Sequence, residues 1–291
     1  MKVNDLMSAP VYVASPEDTV GHVKNLMLKH KISRVMIVYE GAPIGIITKY
    51  DLAQMVETSE AEWRRRNQER TMAKSIMSEN LVTITPDASM RQAAQEMTSI
   101  GIGSLPVVKD GDLLGILSET DIVSHFAQTN SKEKVETLMT DKFLTCHRHH
   151  SINHVFRAMD ESGVYRTIVQ EGNGVPVGII THTNLSFAKE PFVDSKDIVM
   201  VRKAEHAGEQ TNRYVKKVLQ VAEDIMTEPL ITISRDATVV EAARLMVDKR
   251  IDCLPIIEDG TLAGIVSKSD IVKIVAGMGS YNVEKGRGGL I

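Results

Sequence analysis

The hydrophobic and polar positions of this chain follow one pattern, which recurs four times and predicts a short strand, a helix, a strand pair and a second helix. In the second copy, Met90, Ala93, Ala94 and Met97 stand at i, i+3, i+4 and i+7. This spacing is typical of a helix with one apolar face. We therefore expect the methionines to fill the core rather than to form a ligand surface.

The strand pair is predicted by the segment that follows this helix. Residues 105–108 read Leu-Pro-Val-Val, residues 110–111 read Asp-Gly, and a second apolar run continues to Leu117. An Asp-Gly pair between two apolar runs is typical of a β-hairpin. Upstream of the helix, β-prone stretches at 11–15, 81–85 and 230–234 predict the first strand of three copies.

A seven-residue motif, Gly-apolar-apolar-Ser/Thr-x-x-Asp, joins the hairpin to the second helix. Its recurrence at intervals of a small domain identifies the protein as one unit repeated four times. The copies begin at Gly45, Gly115, Gly178 and Gly264 and end at Asp51, Asp121, Asn184 and Asp270.

Two interpretations of the motif stay open. A hydroxyl three positions before an acidic residue is the capping-box arrangement at a helix start, so Ser118 and Asp121 can simply begin a helix. The second interpretation is a nucleotide site. The N–H groups of a helix start attract anions, and a neighbouring carboxylate can accept both hydroxyls of a ribose.

Composition favours a soluble protein with packed cores. The 291 residues are 43% hydrophobic with a formal net charge of −4, which excludes global disorder and a wholly basic nucleic-acid-binding surface. Cys146 and Cys253 are the two cysteines, which predicts no disulfide framework. We find neither a signal peptide nor an apolar run long enough to span a membrane, and we expect a cytoplasmic location.

The order of elements, the Leu-Pro-Val-Val hairpin and the seven-residue motif together resemble the cystathionine-β-synthase (CBS) domain. The resemblance implies an α+β fold of four βαββα repeats, paired into two pseudo-twofold Bateman modules. The copies cover 1–58, 76–128, 137–189 and 224–276, with a charged linker at 59–75, a helical insertion at 190–223 and a Gly-rich tail at 277–291.

The resemblance also implies a regulatory adenosine ligand: AMP, ADP, ATP or S-adenosylmethionine. The motif acids would hold ribose hydroxyls, and the helix-start hydroxyls would lie near ribose or phosphate. Strand ends and backbone would frame the base, and nearby cations would suit phosphates. The residues implied, in that order, are Asp51, Asp121 and Asp270; Thr48, Ser118 and Ser267; Ser15, Thr85 and Ser234 with Ile32, Ile102 and Ile251; and Arg34, Lys49, Arg250 and Lys268.

The third copy departs from this pattern. Asn184 replaces the acid, and an amide lacks the charge-assisted hydrogen bonding of a carboxylate, so we expect a weak, empty or altered site. The histidine-rich strand end at 146–150, with His154 four positions after His150, offers zinc ligands as a minor alternative. No metal-binding motif accompanies it, and we expect no metal.

The segments outside the repeats suggest a second class of function. Trp63 stands beside three consecutive arginines, and the tail carries further cations. These could bind RNA, a ribosome or an acidic partner, although a solvated linker and a disordered tail are the ordinary outcomes. The residues concerned are Trp63, Arg64, Arg65, Arg66, Arg70, Lys285 and Arg287.

The repeats occupy most of the chain, and we find no P-loop, no Gly-x-Ser-x-Gly and no paired metal motif. We therefore expect no enzyme activity. The leading hypothesis is a nucleotide sensor that changes a surface for a protein partner or within a homo-oligomer. The alternative is an RNA- or ribosome-binding factor with the repeats as scaffold.

Overall fold

The computed structural model describes residues 1–57, 70–187 and 220–278, and its fold is α+β with four repeated units. The first repeat contains β1 (Val13–Ala14), α1 (Val20–His30), β2 (Arg34–Tyr39), β3 (Ala42–Thr48) and α2 (Lys49–Glu57). The second contains α3 (Met90–Ile100), β4 (Ser104–Lys109), β5 (Asp112–Ser118) and α4 (Glu119–Phe126). The third contains β6 (Thr145–His147), α5 (Ile152–Glu161), β7 (Arg166–Gln170), β8 (Pro176–Thr181) and α6 (His182–Phe187). The fourth contains α7 (Ala222–Ile225), α8 (Val239–Lys249), β9 (Cys253–Glu258), β10 (Thr261–Ser267) and α9 (Lys268–Ala276).

The sheets differ between odd and even repeats, which corrects the prediction of a first strand at 81–85 and 230–234. Repeats one and three have three-stranded sheets, whereas repeats two and four have only the hairpin. The cause is Pro106 and Pro255, because proline has no N–H to donate to a neighbouring strand. The equivalent Met36 N–H donates to the Tyr12 carbonyl at 3.2 Å. The chain before Pro106 therefore keeps only an isolated parallel bridge, at Ile84.

The opening segment of each repeat crosses to the neighbouring repeat. Residues 1–8 lie on the second repeat, where the Ser8 N–H donates to the Ile116 carbonyl at 2.9 Å and the Ile116 N–H donates back at 3.1 Å. In return, Ser78 bridges to Ile46 of the first repeat. Such a reciprocal exchange joins repeats one and two into one pseudo-twofold module.

Repeats three and four are joined in the same way. Thr140 bridges to Ile265 of the fourth repeat, and Thr227 bridges to Ile179 of the third. The segment boundaries predicted above follow the sequence repeats. In their contacts, however, the opening segments belong to the partner repeat.

The exchange explains the glycine of the seven-residue motif. Each motif glycine lies under the methionine of a crossing segment: Gly115 under Met7 and Gly45 under Met77, for example. A Cβ atom on Gly115 would lie 3.1 Å from the Ser8 carbonyl oxygen and 2.5 Å from the Met7 sulfur. Where a second backbone approaches this closely, only glycine fits.

The two modules pack through their helices, repeat one against repeat three and repeat two against repeat four. Helices α3 and α4 contact α8 and α9, and α2 contacts α5 and α6. One apolar core runs through repeats two and four and includes Met97, which is 2% exposed, as predicted for the methionine stripe. In the part of the chain that the structure describes, no helix has the length and apolar character needed to cross a membrane.

Candidate functional site

The predicted hydroxyl–carboxylate pairs form at three helix starts. The backbone N–H and the Oγ of Ser118 donate to Oδ2 of Asp121 at 2.7 and 2.6 Å. Thr48 with Asp51 and Ser267 with Asp270 repeat this geometry. The acid's half of the capping arrangement, in which it accepts the N–H at the helix start, thus forms in all three repeats.

Capping does not use the whole carboxylate. A carboxylate offers two oxygens with about four acceptor positions, and the cap occupies Oδ2 only. The Oδ1 of Asp121 accepts from Ser8 Oγ at 3.2 Å, and that of Asp270 accepts from Lys273 Nζ at 2.9 Å. Burial raises the pKa of Asp51, although hydrogen bonds from Thr48 oppose it. The geometry therefore leaves acceptor positions for a further hydroxyl.

Asn184 closes the same box in the third repeat but is bound on both sides. Its Oδ1 accepts from the N–H and Oγ1 of Thr181, both at 2.9 Å. Its Nδ2 donates to the Ile225 carbonyl at 2.7 Å and to Thr227 Oγ1 at 3.0 Å. Because a carbonyl oxygen can only accept, the amide nitrogen must face Ile225. Asn184 therefore ties the crossing segment of repeat four to repeat three.

Because of this contact, we expect aspartate, the usual residue of the motif, to make the protein less stable than asparagine does at position 184. Asn184→Asp should lower the free energy of unfolding by about 1 kcal/mol, because a carboxylate cannot donate to the Ile225 carbonyl. Thr227 can rotate and donate to the new carboxylate, as Ser8 does to Asp121, which limits the loss. Urea unfolding of wild type and variant at pH 7 measures the difference, and an unchanged or more stable variant would show that the Ile225 contact contributes nothing.

A cleft opens between repeats three and four, directly beside Asn184. Its volume is about 690 Å³, counting the part open to solvent. Apolar side chains form much of its wall. Lining residues from repeat three are Ile179, Thr181, Thr183 and Asn184, and those from the fourth are Thr227, Pro229, Leu230, Ile231, Arg250, Ile251, Asp252, Cys253 and Pro255.

The cleft combines residues that sequence reasoning assigned to different copies. The sequence does not indicate which copies share a cleft, and Arg250 and Ile251 of repeat four line the same cleft as Asn184 of repeat three. Arg34 likewise leaves its own repeat, and its Nη1 donates to the Gly103 carbonyl of repeat two at 2.7 Å. Burial lowers the pKa of Arg34, while Glu119 and Asp121 oppose this effect. The described cleft is therefore shared by repeats three and four, and Arg34 makes a contact between repeats one and two.

Each predicted strand-end hydroxyl, on Ser15, Thr85 and Ser234, lies directly before a turn. Ser234 does not line the cleft, whereas Leu230 and Ile231 of the same stretch do. Ser15 and Ser234 accept backbone N–H groups two residues ahead, at 3.4 and 3.3 Å, and the Thr85 carbonyl accepts from Ala88. Ile32 and Ile102 are partly buried against the repeat cores.

The residue after each motif hydroxyl reaches the opposing repeat, at the centre of the molecule. Lys49 Nζ donates to Thr183 at 3.3 Å, and Lys268 Nζ donates to Thr120 at 3.0 Å. His182 lies edge-on to Tyr50, with ring centroids 4.9 Å apart. Glu119 bonds to Ser269. One equivalent position in all four repeats thus links repeat one to three and two to four.

Charged side chains collect around these links: Lys268 is buried, Lys49 is half-buried and Asp252 is exposed. Lys268, whose side chain is 7% exposed, donates to Asp252 at 2.8 Å. Desolvation acts to raise the pKa of Asp252, but attraction to Lys268, Arg166 and Lys49 outweighs it and lowers that pKa. Burial lowers the pKa of Lys49 and Asp252 opposes this effect, while Arg34 and Lys268 lower the pKa further. Repulsion between cations at this centre would be relieved by an anion.

Sequence reasoning missed Arg166, Asp252 and Thr183. Arg166 begins β7 just as Arg34 begins β2, so alignment of the copies with one another could have identified it. Asp252 and Thr183 had no such signal, because their role depends on which repeats face each other.

The histidines of repeat three lie close together at the surface. The rings of His150 and His154 are 4.5 Å apart and those of His147 and His149 are 5.1 Å apart. Within residues 1–57, 70–187 and 220–278, no group of three or more His, Cys, Asp or Glu side chains has the geometry for a metal ion. The zinc alternative therefore gains no support from the described residues.

Of the predicted RNA and partner contacts, all but Arg70 lie outside the described residues. Trp63, Arg64, Arg65, Arg66, Lys285 and Arg287 lie outside the described residues, as does most of the insertion at 190–223. Arg70 is described and is exposed.

Comparison with known proteins identifies the repeats. The CBS domain matches at residues 3–57, 73–128, 135–190 and 221–277, which together make up most of the chain. This chain belongs to the CBS domain family. Its four CBS repeats form two CBS pairs, the arrangement of two Bateman modules.

Several relatives have the same repeats. The uncharacterized protein MJ1225 of Methanocaldococcus jannaschii is 24% identical over 90% of this chain and 94% of its own length. Its crystal structure, described as that of a candidate archaeal homologue of g-AMPK, superposes with a TM-score of 0.79, at 21% identity over 94% of this chain and 99% of that one. At this identity the likeness establishes the fold.

Two other relatives match this chain over less than half of their own length. Uncharacterized protein MJ1404 of the same organism is 30% identical over 65% of this chain and 44% of its own length. The L-aspartate semialdehyde sulfurtransferase of Methanosarcina acetivorans is 32% identical over 47% of this chain and 28% of its own length. The chain therefore spans less than half of each of these two proteins.

Proposed function

We propose that this CBS protein is a non-catalytic regulator that binds adenine nucleotides in the clefts of its two modules. Binding would change a surface that a protein partner recognises. AMP, ADP and ATP fit the site better than S-adenosylmethionine, whose sulfonium would add positive charge near a cationic centre.

The main support for the proposal is that the cleft between repeats three and four continues to the charged side chains around Lys49 and Lys268. Thr183 and Asp252 both line the cleft, and they bond to Lys49 and Lys268 respectively. The cleft is therefore apolar where Leu230, Ile231 and Ile251 lie and is bordered by lysines at its inner end. An adenine ring suits the first environment and phosphates suit the second.

The regulatory part of the proposal rests on how nucleotide binding would act on the module contacts. A phosphate bound near Lys49 or Lys268 would compete with Thr183 or Thr120, which these lysines contact in the opposing module. A ligand shifts a conformational equilibrium only by its differential affinity for two states. Here the two states would differ in whether the inter-module contacts of Lys49 and Lys268 are made, and the nucleotide would bind more tightly to the state in which these contacts are broken.

The test is a pair of substitutions at Asp121 that separates its capping role from its binding role. Asp121→Asn should retain the cap, because Asn184 closes the same box in this chain. It should lose about tenfold in AMP affinity at that cleft, because a charge-assisted hydrogen bond is lost. Asp121→Ala should lose this affinity and also about 1 kcal/mol of stability, because the cap is removed.

Isothermal titration calorimetry with AMP, ADP, ATP and S-adenosylmethionine measures the affinities. Thermal unfolding without ligand measures the stability that is lost when the cap is removed. The proposal fails if wild-type protein binds none of the four. If Asp121→Asn binds AMP as tightly as wild type, the carboxylate only starts the helix.

A further inference from the structure

We propose that the cleft beside Asn184 binds its nucleotide without recognising the ribose diol, and so accepts 2′-deoxy or 3′-substituted adenine nucleotides. This inference rests on the proposed function. The inference goes beyond that function because it gives the cleft between repeats three and four a different ligand class from clefts that carry a motif carboxylate.

The first observation is that Asn184 has no hydrogen-bonding capacity left. An amide oxygen accepts two hydrogen bonds and an amide nitrogen donates two. Thr181 supplies both donors to Oδ1, and Nδ2 spends both hydrogens on Ile225 and Thr227. A ribose hydroxyl would have to displace one of these contacts, which tie the crossing segment in place.

The second observation is the contrast with Asp121. Its Oδ2 takes both capping bonds, and its Oδ1 accepts only a long bond, 3.2 Å, from Ser8. That oxygen can accept a ribose hydroxyl, and its charge opposes a phosphate or other anion at the 2′ or 3′ position. Asp121 therefore favours an unmodified diol, whereas Asn184 neither attracts the diol nor repels a substituent.

The remaining polar groups of the cleft do not replace the missing carboxylate. Asp252 lines the cleft from the repeat-four wall, across from the motif position. Its Oδ1 accepts from Lys268 at 2.8 Å, and Arg166 and Lys49 also attract it, so cations already compensate its charge. Arg250 caps α8 in the left-handed conformation, with φ of 55°, and contributes a cation suited to phosphate rather than to a hydroxyl pair. Affinity in this cleft should come from base and phosphate.

The test compares AMP with 2′-deoxyadenosine 5′-monophosphate in this cleft. The δ1-methyl NMR signals of Ile231 and Ile251, which line it, report binding locally in the full chain. In wild type, both nucleotides should shift these signals with dissociation constants within about threefold of each other. Asn184→Asp should create a preference for AMP of about tenfold, the effect of one hydrogen bond to a charged group.

A reciprocal variant removes any dependence on how well Asn184→Asp folds. Asp121→Asn should reduce the preference for AMP over the deoxynucleotide measured by calorimetry on the whole protein. A tenfold preference for AMP at Ile231 and Ile251 in wild type would overturn the inference. So would silence of these two methyl groups with both nucleotides. If calorimetry also detected no AMP binding anywhere, the proposed function would fall with it, whereas AMP binding elsewhere would leave that function standing.

Discussion

Gly115→Val is expected to lower the free energy of unfolding by about 3 kcal/mol, the upper end of the cost of overpacking a tight contact. The added side chain would start 3.1 Å from the Ser8 carbonyl and 2.5 Å from the Met7 sulfur. Met7 can move, but Ser8 is held by two backbone hydrogen bonds to Ile116. The substitution should therefore detach residues 1–8 from repeat two, and urea unfolding with limited proteolysis measures both effects.

The chain offers a matched control for this prediction. A Cβ atom on Gly264 would lie 3.3 Å from the Met139 sulfur and 3.1 Å from the Thr140 carbonyl, so the methionine contact is looser there and the backbone contact is equally close. Gly264→Val should therefore cost less than Gly115→Val. Adding Met7→Ala to Gly115→Val should recover part of the loss, because the two side chains compete for one space. Equal stability of Gly115→Val and wild type would mean that the crossing segment does not hold the module together.

Much of the fold could be predicted because the determining signals are local. The apolar stripe around Met97, the Asp-Gly turn at 110–111 and the Ser118–Asp121 cap each depend on residues a few positions apart. Fourfold repetition made each signal stronger than a single copy would. These elements and the CBS family are confirmed.

The rest depended on contacts between distant segments. Nothing local indicates that Ser8 belongs on repeat two, or that Arg250 faces Asn184 rather than Asp270. The strands expected at 81–85 and 230–234 failed for a different reason: their own residues favour strands, but Pro106 and Pro255 in the neighbouring strand cannot donate to them. The sequence assigns a role to each site residue but does not indicate which copies share a cleft, and the described cleft is built from repeats three and four.

Asn184 shows how a substitution can have a role that the sequence does not reveal. Replacement of an acid by an amide predicts a weak, empty or altered site when only its effect on a ligand is considered. The structure gives the amide a second role, since only an amide can cap the helix and donate to Ile225 as well. The described cleft lies at this position.

His182 is expected to make the protein less stable in mild acid, by about 2 kcal/mol between pH 7 and pH 5. It is 8% exposed among Tyr50, Tyr165 and Phe156, and within the described residues its Nε2 has no hydrogen-bond partner. Burial lowers its pKa from 6.5 to about 4, although Asp160 opposes the shift and Arg166 adds to it. The unfolded chain therefore binds a proton below pH 6.5 that the folded chain refuses until about pH 4, and stability falls across that window.

His182→Phe should remove this part of the pH dependence, because phenylalanine fills the same aromatic surroundings and does not titrate. Urea unfolding at pH 5, 6, 7 and 8 measures it. The stability difference between variant and wild type should grow in the variant's favour below pH 6.5. It should stay constant between pH 7 and 8, where His182 is neutral in both states, which serves as the internal control. Parallel pH profiles for the two proteins would mean that His182 is hydrated or paired in solution, and that the contact between repeats one and three is looser than its geometry indicates.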